Sequence, residues 1–301
     1  MNVFRELSDT AATLAAFTTA VQLGLLDRID RTPATPQELA RTCGASERGV
    51  RVVLAALAEQ GFVELLADGR YRPLVPGIAS LHPILPLWER LPEVVRTGEP
   101  AFESDCAETA GGIYPSMVTF LAALWSRSAA EVARLLPKAR RVLDVGAGAA
   151  PWSIPLASEH CRVTALDLPP VLKATRQAVN RAGVAAHYEF LGADMFDARL
   201  DTGGHDLIVL GQVCHLFDEA ACAKLLRHLS PALEPGGTFA VIETLAGSTE
   251  AAMHDLSLFL RTRHGTVHPP SAYRAWLGDA GLGEVEVAEL PDGMALITAR
   301  K

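Results

Sequence analysis

The chain has 301 residues, of which 49% are hydrophobic and 21% charged, and its net charge is −8. Such a composition can bury a sizeable core in one or two domains, and it excludes a disordered chain. The acidic balance and the lack of a long basic run argue against nucleic acid and anionic membranes as partners.

Five scattered cysteines, Cys43, Cys106, Cys161, Cys214 and Cys222, include no CxxC pair, so neither a disulfide framework nor a metal site is expected. The start, MNVFRELSDT, lacks a basic stretch followed by an apolar block, and no run of about 18 apolar residues would span a bilayer. A cytoplasmic protein with reduced thiols is expected.

In chain order, residues 8–30 predict one helix, capped by Ser8 or Asp9 and striped by Leu14, Phe17, Val21 and Leu25. A second helix starts at Thr35, a capping residue before Pro36. A third runs from Ser46 to Gly61. FVELLADGRYRPL then predicts a hairpin turning at Ala67-Asp68-Gly69. Three helices and a hairpin form a winged-helix pattern, which raises DNA binding. The third helix carries Glu47, Arg48, Arg51 and Glu59, which cancel, whereas a groove reader needs net positive charge. A helical dimerisation pad suits this unit better, and a metabolite-sensing regulator is the non-enzyme alternative.

Residues 71–112 predict a proline-rich connector with short helices, and residues 116–137 another helix. Beyond Pro137, RVLDV, RVTALD, HYEFLG, DLIVLG and TFAVIE alternate with helical stretches, which implies a parallel sheet covered on both faces. EVEVAEL and MALITA follow as a hairpin around Pro291-Asp292-Gly293.

VLDVGAGAAP, residues 142–151, predicts a strand, a glycine turn and the start of a helix. Gly146 and Gly148 permit a tight turn and a close ligand. Asp144 at the mouth of that turn would repel a dinucleotide's diphosphate, and Pro151 stands where GxGxxG has its third glycine. A positively charged nucleoside fits instead, which points to S-adenosylmethionine. Asp167 follows the glycines by about 20 residues, the spacing of a ribose-binding carboxylate. After the third strand, Asp194 is placed for the adenine amine and Met195 or Phe196 for its ring.

VLDVGAGAAP, ALDLPPV, GADMF, HDLIVLGQVCHLFDE and LEPGGTFAVIE resemble, in that order, the class I S-adenosylmethionine-dependent methyltransferases. More narrowly, the chain resembles small-molecule O-methyltransferases of the plant caffeate type and of bacterial antibiotic pathways. Their winged-helix dimerisation domain matches residues 8–75, and LPEVVRTGEPAF is similar to the linker of bacterial members.

The resemblance implies an α/β fold: a Rossmann-like, seven-stranded, mostly parallel sheet with helices on both faces, after a mainly helical winged-helix domain. Residues 1–95 would hold the dimerisation domain and connector, and residues 96–301 the catalytic domain. It implies a homodimer that methylates a small, aromatic or secondary-metabolite hydroxyl. Leu168 and Gln212 join the cofactor set.

His215 falls on the family's base, a role that suits an imidazole because a phenol of pKa about 10 must lose its proton. Glu243 matches one of two glutamates that flank the base in plant members. The second glutamate's position falls on Thr266 or Val267, and a lysine of some members is Gly211. Those departures leave N- or C-methylation, or non-methylating chemistry with the same cofactor, as alternatives. Phe120, Trp125, Trp152, Phe259 and His264 are candidates for the acceptor pocket, with Leu258, Leu260 and His268 nearby in sequence.

Overall fold

The structure, a computed structural model, describes residues 3–75 and 77–301. The chain divides into two compact units, Met1–Pro86 and Leu87–Lys301.

The first unit contains α1 (Val3–Gln22), α2 (Leu25–Arg31), α3 (Pro36–Cys43), α4 (Glu47–Glu59), and the antiparallel pair β1 (Val63–Leu65) and β2 (Tyr71–Pro73). The single helix expected over 8–30 is broken at Gly24, whose φ of 66° is left-handed and terminates α1 before α2 begins. Thr35 and Glu38 cap α3 reciprocally, each side chain accepting from the other's backbone N–H. Phe17, Leu25, Leu26, Leu54 and Leu57 make the small core. Val3, Phe4, Leu7 and Leu14 remain exposed along α1.

The second unit opens with α5 (Leu91–Thr97), α6 (Ala107–Leu124) and α7 (Ser126–Leu135). The division at Pro86 precedes the expected boundary at 95 because α5 packs on the second unit's own α10 (Ala251–Arg261), with Val94 fully buried. The helix expected over 116–137 is two helices meeting at Trp125.

Seven strands follow, β3 (Arg141–Val145), β4 (Arg162–Asp167), β5 (Tyr188–Gly192), β6 (His205–Gly211), β7 (Leu233–Thr244), β8 (Gly283–Glu289) and β9 (Met294–Arg300). They lie in the order β5-β4-β3-β6-β7-β9-β8, with β3 to β7 parallel and β9 antiparallel to both neighbours. The chain order reverses at β3, so the carboxyl ends of β3, β4 and β6 border the crevice where ligands bind in such sheets.

Alternate residues feed the two faces, as the strand period of two requires. Leu143, Val145, Ile208, Leu210, Phe239 and Val241 pack beneath α9 (Glu219–Leu229) and α11 (Pro270–Asp279). Val142, Val163, Ala165, Leu207, Val209 and Ala240 pack on the other face with Ala129 and Val132 of α7 and Val179 of α8 (Leu172–Arg181). Apolar residues on both sides are what make these strands near-continuous hydrophobic runs in the sequence. The glycine turn after β3 leads into successive turns over 151–156 instead of the expected helix. Among the described residues, no helix is long and apolar enough to cross a membrane.

The start of α9 is fixed by Asp218, whose Oδ1 accepts the backbone N–H of Ala221 at 2.8 Å. Asp218→Ala should cost about 1 kcal/mol in urea unfolding, and Asp218→Asn a small fraction of that. Equal losses in the two variants would show that the cap contributes nothing.

Candidate active site

The glycine turn is sterically obligatory. Gly146 has φ 67°, and a Cβ there would lie 2.8 Å from Val213 Cγ2. Gly148 has φ 55°, and its N–H donates to Asp167 Oδ2 at 2.8 Å. Asp167 Oδ1 accepts the N–H of Leu168 at 2.7 Å. Burial raises the Asp167 carboxyl to about 6 against the lowering effect of those two N–H groups. Each oxygen keeps a lone pair for a further donor. Leu168 packs with Val118, Ala149 and Val171 beside the turn.

Asp144 requires a correction. It does not stand at the mouth of the turn as an open carboxylate but is wholly buried at the end of β3. Ser153 Oγ donates to its Oδ2 at 2.5 Å and also pairs with the Tyr188 hydroxyl at 2.9 Å. Burial, and then the nearby Asp167 charge, push Asp144 up to about 7 against the pull of Ser153. Near neutrality it is a part-protonated acceptor, not a full charge. Its Oδ1 is buried with no partner among the described residues.

Asp194 lies in the turn after β5, where its Oδ1 accepts the N–H of Phe196 at 2.9 Å. Met195 and Phe196 pack partly buried against the core. The Phe196 ring meets Phe217 edge-on, with centroids 5.1 Å apart. Gln212 leaves β6 with a left-handed φ of 59°, and its Nε2 is buried without a partner among the described residues. The crevice thus offers carboxylate oxygens, among them the orphaned Asp144 Oδ1, to hydroxyl and amine donors and the orphaned Gln212 Nε2–H to an acceptor such as a carboxylate, and residues 146–151 contain no Lys or Arg to hold a phosphate. That donor set fits a sulfonium nucleoside.

The strained turn at Gln212 delivers Val213, Cys214 and His215 to the end of β7. Glu243, fully buried, accepts the N–H of Val213 at 2.8 Å and of Cys214 at 2.7 Å on Oε1. Its Oε2 meets His215 Nδ1 at 2.7 Å. His215 is itself buried, and Nε2 is left as its nitrogen free of Glu243. The pair expected from the sequence is therefore brought together.

Several other expected residues are not. Trp152 is buried in the core and stacks on Trp125, with centroids 5.9 Å apart. A Cβ on Gly211 would lie within 3 Å of the Trp152 indole, so the family's lysine position is glycine here because the indole fills its space. Phe120 is buried on α6. Phe259 and His264 are exposed on the surface of this unit. His268 is a core residue, with Nε2 2.9 Å from the Phe217 carbonyl oxygen and its ring wedged against Tyr273 and Trp276. At the second glutamate's position, Thr266 and Val267 are both held by Asp255 Oδ1, at 2.7 and 2.9 Å. The ring that reaches His215 is His254 of α10, which the sequence reading missed; its spacing to buried Leu258 was the only available signal.

The sheet order, the glycine turn and the buried His215–Glu243 pair define an S-adenosylmethionine-dependent methyltransferase. The chain belongs to the O-methyltransferase family: residues 113–283 match its O-methyltransferase domain and residues 6–73 its dimerisation domain. A Streptomyces sahachiroi 3-hydroxy-5-methyl-1-naphthoate 3-O-methyltransferase is 29% identical over 89% of this chain and 85% of its own. The Streptomyces glaucescens tetracenomycin polyketide synthesis 8-O-methyl transferase is 26% identical over 93% and 91%. The human N-acetylserotonin methyltransferase, solved in complex with its cofactor, superposes with a TM-score of 0.79 at 22% identity over 100% of this chain and 98% of that one, a likeness of fold.

The buried carboxyls carry a pH dependence. An unfolded Asp144 titrates near its ordinary 3.8 and the folded one near 7. Between those values the folded protein holds a proton that the unfolded chain lacks, so Asp144 makes stability fall as pH rises through the window and level off above it. Asp167, raised to about 6, acts in the same sense. Urea unfolding across this range should show a shallower decline for Asp144→Asn than for the parent. Parallel declines would remove Asp144 as their source.

Proposed function

We propose that this enzyme methylates a phenolic hydroxyl on a small aromatic secondary metabolite, acting as a cytoplasmic homodimer. The observation that carries the reading is the buried His215 Nδ1–Glu243 Oε2 contact of 2.7 Å. An amine acceptor needs no such base, whereas a phenol near pKa 10 does. The naphthoate and tetracenomycin relatives support an aromatic acceptor. The exposed apolar residues Val3, Phe4, Leu7 and Leu14 on α1, within the matched dimerisation domain, support the homodimer.

Gly146, Gly148, Asp167 and Leu168 would hold the cofactor's ribose side, with Asp144 and Gln212 facing its amino-acid side. Asp194, Met195 and Phe196 would enclose the adenine. When bound, S-adenosylmethionine supplies an activated methyl group whose departing thioether needs no assistance. The protein's task is then orientation and proton removal.

His215 accepts the hydroxyl proton on Nε2. Glu243 holds the imidazole in the Nδ1–H tautomer and stabilises the imidazolium that forms. Because Glu243 is locked by two backbone N–H groups, it does not swing away as the charge appears.

His215→Ala should leave cofactor affinity unchanged in calorimetry and lower turnover of a hydroxynaphthoate acceptor by about 10²–10⁴-fold. Glu243→Gln should lower turnover less. A His215→Ala enzyme that turns over like the parent would overturn the base assignment and the hydroxyl reading with it.

A further inference from the structure

One imidazole at this site has no task in the mechanism above. His254 lies in the first turns of α10, on the face of fully buried Leu258. Its ring meets His215 edge-on, with centroids 4.7 Å apart and an interplanar angle of 68°. Its Nε2 is buried and has no hydrogen-bond partner among the described residues. A buried imidazole nitrogen is normally paired, so an unpaired one beside the base marks a place for a ligand atom.

The rings are in contact, and His215 has already committed Nδ1 to Glu243. The ring contact places His254 directly beside the imidazole that would take the acceptor's proton. The loop in which the resembling enzymes carry a second glutamate offers Thr266 and Val267 here, both tied to Asp255, the residue after His254.

We propose that His254 is a second catalytic imidazole, donating from its Nε2–H to the acceptor oxygen while His215 removes that oxygen's proton. The inference rests on the O-methylation reading above. In the step, the O–H bond breaks and its proton bonds to His215 Nε2. The electron pair stays on the oxygen, where the His254 N–H steadies the growing negative charge. His254 itself exchanges no proton.

A donor must keep its N–H without becoming a fixed cation that repels the imidazolium forming on His215. Burial, and then the adjacent His215, hold His254 down at about 4, so it stays neutral through the working range. The charged groups that bear on it are His215 and Glu243 across the site and Arg261 and Asp255 on its own helix. A neutral imidazole also differs from a second glutamate in kind. It binds the developing phenolate as a donor, where a carboxylate would have to act through His215.

The test uses the full-length enzyme loaded with S-adenosylhomocysteine and 4-nitrophenol as the probe, since its phenolate is visible by absorbance. His254→Phe keeps the ring shape without the donor, and His254→Gln restores an N–H. Relative to the parent, His254→Phe should raise the apparent pKa of bound nitrophenol by about one unit and lower turnover of the hydroxynaphthoate about tenfold. It should leave S-adenosylhomocysteine affinity unchanged, and His254→Gln should recover a large part of both losses. A merely structural residue would not move the pKa of the bound phenol.

The inference is overturned if nitrophenol does not bind, if its apparent pKa is the same in parent and variants, or if His254→Gln behaves like His254→Phe. The O-methylation reading survives any of these as long as His215→Ala still lowers turnover by about 10²–10⁴-fold.

Discussion

The active-site edge of the sheet depends on one buried carboxylate. Glu243 is without solvent and takes three hydrogen bonds, two from the backbone of Val213 and Cys214 and one from the His215 ring. Burying an unpaired carboxylate is prohibitively costly, so Glu243 can occupy the end of β7 only with those donors in place. Conversely, Gln212 can hold its left-handed φ of 59° only because the turn it opens is tied down on both sides, by its own N–H to the Ile242 carbonyl and by the next two N–H groups to Glu243. The position of His215 follows from satisfying this carboxylate.

The crevice at the carboxyl ends of β3 and β4 poses a different electrostatic problem. The Asp167 charge adds to the cost of ionising Asp144, which is wholly removed from solvent, and burial raises Asp167 as well. Asp167 offsets this with two backbone N–H donors and stays the better acceptor. Asp144 has only Ser153 and keeps one oxygen unmatched. A ligand that brings cationic or hydroxyl donors relieves both deficits at once, whereas a phosphate would deepen them. The choice of ligand class thus survives the burial of Asp144. Its physical basis shifts from attraction by an open charge to the completion of an under-donated pair.

The sheet was legible because its strands are buried on both faces and bounded by glycine and proline turns, so each appears as a short apolar run. Thr35, Ser46 and Gly69 announced their turns and caps through local chemistry. The breaks at Gly24 and Trp125 were hidden, since helical periodicity runs on through them. His215 and Glu243 could be paired because His215 closely follows β6 and Glu243 ends its parallel neighbour β7. Trp152 could not be assigned a side, because it follows a turn where the alternation of a strand no longer applies. His254 was harder still: its spacing to Leu258 marks a helix face, but its partner comes from a distant part of the chain.

Two contacts tie the crevice to the segment that carries His215. The Gly146 backbone lies so close to Val213 that no Cβ fits between them, and the Trp152 indole rests directly on Gly211. Val213 and Gly211 flank Gln212, the residue whose turn aims His215. The glycine turn after β3 therefore packs, without free space, against the segment that carries His215. Substituting lysine at 211 would displace the indole and with it this contact. The glycine at 211 is thus part of the same arrangement that makes glycine at 146 obligatory, and the two sites hold their relative position through shared steric limits on backbone that neither could satisfy alone.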